Sequence, residues 1–138
     1  MTNRIKEMIL LVFVLFLLNG CDSKAQNTMN FPFDVLEIIP SSQNNEVSVI
    51  VIKVGVQGGS TVSFGYQFYF SKNSSSLTKD KMFLWVNGLD NYTIKWNSIN
   101  TVDVKIDAAR VISFRSVVLL KKSIVGSYYV SNFVFKYK

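Results

Sequence analysis

Cys21 is the single thiol of a 138-residue chain that contains no histidine. A lone thiol can act as a nucleophile, ligate a metal or accept an acyl group, and the missing imidazole removes the usual partner for the first two. Ser-His and Cys-His nucleophile systems are excluded, and so is zinc held by imidazole. Paired carboxylates are another hydrolytic option and require two acids about 5–10 Å apart. Asp103 and Asp107 stand four residues apart on one alternating set, but Lys105 lies between them and the opposite set, Val102, Val104 and Ile106, is apolar. That pattern reads as the solvated face of a strand. The remaining acids lack calcium-loop spacing. Gly58-Gly59-Ser60 lacks the Lys-Ser/Thr end of a phosphate loop and reads as a hairpin turn. The expectation is therefore no metal, no cofactor and no enzyme activity.

The residues before Cys21 have a pattern of their own. Arg4 and Lys6 form a basic segment, Ile9 to Leu18 is an unbroken apolar run, and Asn19-Gly20 precede the thiol. This is the layout of a secretory signal peptide. Ten helical residues rise about 15 Å, half of a roughly 30 Å hydrocarbon core, so the run is read as an address and not a span. Leu18-Asn19-Gly20-Cys21 resembles the lipobox of bacterial lipoproteins, with Asn19 departing from the usual small residue. The resemblance implies cleavage before Cys21, a diacylglycerol on its sulfur, and an N-acyl chain such as palmitate. Several acyl chains anchor stably where one is marginal. Asp22 resembles the enterobacterial signal for retention in the inner membrane, facing the periplasm; in a Gram-positive host the same anchor implies the cell surface.

Three segments follow: a signal peptide over 1–20, a lipidated amino terminus with a polar tether over 21–30, and one domain over 31–138. Removing Arg4, Lys6 and Glu7 from 15 basic and 9 acidic residues leaves 13 and 8, an excess of five positive charges. Such a balance suits an anionic membrane or an acidic protein. Nucleic acid is not expected, because the cations are dispersed and no nucleic-acid motif appears.

The domain must be built from strands. Val62, Phe64, Tyr66, Phe68 and Phe70 fall on one alternating set, and Val102, Val104 and Ile106 repeat the pattern. Val47 to Val56 is apolar on both sets, as in a strand covered on each face. Asn87-Gly88 reads as a two-residue hairpin turn between "MFLWV" and "LDNYTIKW", and "VISFRSVVLL" reads as one strand. Pro32 and Pro40 bracket a first strand suited to an edge. The apolar carboxyl-terminal segment belongs inside the sheet, or is guarded by Lys136 and Lys138. The pattern predicts an all-β fold, an antiparallel β-sandwich or open barrel of about eight strands.

Candidate contact residues are those off the main alternation or beside turns: Tyr69, Trp85, Tyr92 and Tyr128, with Arg110 and Arg115, since Tyr, Trp and Arg dominate interface hot spots. The longest break in the strand pattern, Ser71 to Lys81, adds Lys72, Lys79 and Lys81. "GGSTVSFGYQFYF" with "YTIKWNSINTVDVKID" resembles a turn, strand and hairpin order in small envelope lipoproteins of an uncharacterised family. By size, leader and missing catalytic groups, the chain also resembles bacteriocin immunity proteins. That resemblance implies a membrane-anchored binding protein that neutralises an envelope-acting toxin; the alternative is a structural or assembly lipoprotein binding an envelope protein.

Overall fold

A computed structural model describes residues 32–56, 63–121, 123 and 125–137. Cys21, Asp22 and the tether over 21–30 lie outside the described residues, as does Gly58-Gly59-Ser60. Seven strands follow in order: β1 (Phe33–Pro40), β2 (Ser48–Val56), β3 (Ser63–Ser71), β4 (Met82–Ser98), β5 (Thr101–Phe114), β6 (Val117–Leu119) and β7 (Ser127–Tyr137). They form one all-β sheet in the order β1-β2-β3-β4-β5-β7-β6. Two single 3₁₀ turns, Ser74–Ser76 and Lys79–Lys81, join β3 to β4.

The sheet is mixed and not closed. Every pairing is antiparallel except β5 with β7, which run parallel from Thr101–Tyr129 to Ala108–Tyr137. The wholly antiparallel expectation departs there, because β6 is a three-residue strand that returns the chain beside β5 with its direction unchanged.

Asn87-Gly88 does not reverse the chain. Gly88 has φ +61°, the left-handed region that this dipeptide was expected to supply, yet β4 runs on from Met82 to Ser98. Positive φ here bends a strand. Val86 and Leu89, three apart, both face the main core, and opposite them so do Ala108 and Val111. Two expected strands thus become one that turns a corner. In the same way "TVDVKI" and "VISF" fuse into β5, and "VVL" separates as β6 after Arg115-Ser116.

The corner folds the sheet over itself into two layers. One holds β1, β2, β3, the first half of β4 and the end of β5; the other holds the second half of β4, the start of β5, β7 and β6. Val49, Val51, Phe68 and Phe70 from the first meet Val102, Val104, Ile106 and Tyr128 from the second. Aromatic rings join the layers: Phe70 lies 5.5 Å from Tyr128 and 6.0 Å from Trp96, and Phe68 meets Tyr92 edge-on at 5.5 Å. Centroid spacings of 4.5–7 Å are the favourable range.

The first layer is also covered outside. Ile50, Ile52, Val54, Tyr69 and Met82 form a second cluster, capped by Leu77 from the β3–β4 loop, which is only 4 % exposed. The apolar character of β2 on both alternating sets is thereby explained, and β1 takes the expected edge position.

Candidate contact surface

The β3–β4 loop is a fitted cover. Lys81 turns its Nζ onto the carbonyl oxygen of Ser76 at 2.6 Å, and Ser71 Oγ donates to the Asn73 carbonyl at 3.1 Å. Lys72 and Lys79 stay exposed. Since Leu77 holds the loop down, these lysines ride on an ordered support.

Arg115 joins them. Its backbone N–H donates to the Phe83 carbonyl at 2.8 Å, one residue past the start of β4, and β6 then packs beside the Lys79–Lys81 turn. The result is a patch carrying Lys79, Lys81 and Arg115 against one exposed carboxylate, Asp80, and next to Val117 and Leu119, which are 44 % and 66 % exposed. Apolar side chains within a cationic rim make a surface suited to an acidic partner.

The other expected contact residues do not gather here. Tyr69 is fully buried in the second cluster, where its hydroxyl donates to Gln67 Oε1 at 2.6 Å and burial pushes the phenol pKa far above its ordinary value. It falls off the main alternation of β3, which predicts the surface, but Leu77 covers that face and leaves no periodic signal in the sequence. Tyr128 is also fully buried; its hydroxyl accepts from Asn44 Nδ2 at 2.8 Å and lies 2.8 Å from Ser123 Oγ, which donates to Glu46 Oε2 at 3.0 Å. These bonds lace the β1–β2 loop to the β6–β7 loop. Both tyrosines therefore leave the surface set.

Trp85 is half-buried against the second cluster, and its Nε1 is buried with no hydrogen-bond partner among the described residues. Tyr92 is half-buried at the edge of the main core and donates to Glu37 Oε2 at 2.6 Å. Arg110 is exposed opposite Asn87, at the corner and away from the lysine loop.

Sequence reasoning missed several residues. Val117 and Leu119 fall in the segment expected as one strand, "VISFRSVVLL", and are exposed on the separate short strand β6. Asp103 accepts from Ser131 Oγ and from Asn132 Nδ2 at 3.0 Å; hydrogen bonds from Asn97, Ser131 and Asn132, with the charge of Lys95, hold its carboxyl below the usual carboxylate range. A neutral donor such as Ser or Asn gives no sequence signal of such a role. A shallow depression of about 180 Å³ lies over Tyr92, Thr93, Lys105 and Asp107, below the roughly 300–1,000 Å³ of most small-molecule pockets. Among the described residues no cluster of three or more acids or thiols is placed to hold a metal ion.

No protein-family model matches the sequence, and no curated protein or solved structure matches it either.

Proposed function

We propose that this chain is a non-catalytic binding protein, tethered to the membrane by acyl chains on Cys21, that neutralises an envelope-acting toxin in the manner of an immunity or inhibitor protein. The observation that supports this reading is the patch on which Lys79 and Arg115 flank exposed Val117 and Leu119. A wall-cleaving toxin must present catalytic carboxylates, and cations on a rigid support attract such a surface and speed encounter. Anchoring raises the protein's concentration where such a toxin enters.

Survival of cells carrying the gene is the test, measured against a panel of envelope-directed bacteriocins. Protection by the natural chain that is lost when Lys79→Glu and Arg115→Glu are combined supports the proposal. Equal killing with and without the gene across the panel overturns it. The runner-up, a structural or assembly lipoprotein, is favoured by the exposed Val35, Leu36 and Ile38 on edge strand β1, and it predicts crosslinks to a resident envelope complex.

A further inference from the structure

Folding one sheet over itself leaves strand edges open along two rims. Each layer begins on one rim and ends on the other. At the first rim β1 and the second half of β4 meet: Tyr92 reaches Glu37, and Trp96 Nε1 donates to the Ile39 carbonyl at 3.2 Å. At the second, the end of β5 and the end of β7 meet, with Phe114 stacked on Phe133 at 4.2 Å. Among the described residues no strand pairs with the outer edge of β1, nor with β7 beyond the stretch that β6 and Ser116 cover.

The two rims differ in charge. Residues 33–40 and 89–98 hold Asp34, Glu37 and Asp90 against Lys95, a balance of minus two. Residues 109–114 and 131–137 hold Arg110 and Lys136 and no acid, a balance of plus two. Both are also apolar. Val35, Leu36 and Ile38 on the first, and Ile112, Phe114, Val134, Phe135 and Tyr137 on the second, make up eight of the thirteen exposed large hydrophobic residues among the described ones. Unpaired, apolar strand edges seek partners.

We infer that the occupant of each rim is a second copy of this chain, the acidic rim of one molecule docking on the basic rim of the next. Like rims repel and unlike rims attract, so the contact is heterologous and propagates from head to tail. The bulge at Leu36 breaks the register of β1 between Val35 and Glu37, which shortens any ladder a neighbour can add and keeps each contact weak. Association then depends on local concentration, which a shared membrane surface would supply.

The test uses the full chain in detergent with micelles in excess, followed by sedimentation velocity over a wide concentration range. The natural chain gives a ladder of dimers, trimers and larger species. Asp34→Lys neutralises the acidic rim, and Arg110→Gln with Lys136→Gln neutralises the basic one; each variant alone loses association at least about tenfold. An equimolar mixture of the two retains one matched contact and halts at a one-to-one dimer. Raising salt from roughly 0.05 to 0.5 M weakens assembly of the unmodified chain, which checks the charge argument without any variant. A natural chain that stays monomeric, variants that still self-associate, or a mixture that grows past the dimer overturns the inference.

Discussion

Tyr92 on the far half of β4 donates its phenolic hydrogen to Glu37 on β1 across 2.6 Å, closing one side of the folded sheet. Burial first, then the hydrogen bond and the negative charge of Glu37, hold the tyrosine pKa well above its ordinary value. Tyr69 is raised in the same direction by burial alone. A folded-state pKa above the unfolded one means the native state holds the proton more tightly. The stability these residues contribute is complete below the unfolded tyrosine pKa of about 10 and is lost as pH rises beyond it. Urea unfolding between pH 8 and 11 should show a decline that begins near pH 10. Tyr92→Phe should cost about 1 kcal/mol at pH 8 and make the alkaline decline shallower.

Gly88 should be intolerant of any side chain. A Cβ there would lie 2.8 Å from the Ala109 Cβ, at a φ that L-residues seldom adopt. Gly88→Ala should destabilise by about 2 kcal/mol or more, from backbone strain and crowding together. Adding Ala109→Gly should relieve the crowding and leave the strain, so thermal unfolding should recover only partly.

Leu77 holds the β3–β4 loop to the second cluster. Leu77→Ala should cost about 2–4 kcal/mol, less if the loop collapses onto the gap. Hydrogen exchange should rise first over residues 72–81 and over the outer face of β2. Protection spread evenly over the chain would contradict the separate role of that cluster.

Asp103 should titrate below the ordinary aspartate range. Its lowered pKa means that its contribution is present above the unfolded value of about 3.9 and is lost as pH falls through the folded one. Carboxyl-detected NMR should place its midpoint below the ordinary aspartate range, and Ser131→Ala should move it upward.

Legibility in the sequence varied with range. Alternation located the strands, because a side chain's face depends on its nearest neighbours in the chain. It marked Val47 to Val56 as doubly covered, which is observed between Val47 and Val54, and the Pro32–Pro40 segment as an edge, as observed. Asn87-Gly88 announced a positive φ but not its use, since the same torsion serves a hairpin or a corner. The parallel placement of β7 beside β5 depends on the short β6, whose three residues carry no distinct pattern. Contact residues were least legible. The loop lysines were visible from composition, whereas their meeting with Arg115, and the burial of Tyr69 and Tyr128, arise only when distant segments pack.

The corner in β4 and β5 also orders the events of folding. Ile99-Asn100 is a two-residue connection, and from Ser98–Thr101 the two strands zip together over nearly their full length. Closing so short a loop costs little entropy, and hairpins form in about 1–10 μs. β1 also pairs locally with β2, from Pro40–Ser48, whereas its contact with the other layer, Glu37 with Tyr92, spans 55 residues. The long hairpin is thus the natural nucleus, and the joining of β1 to the far half of β4 across the two layers comes after it.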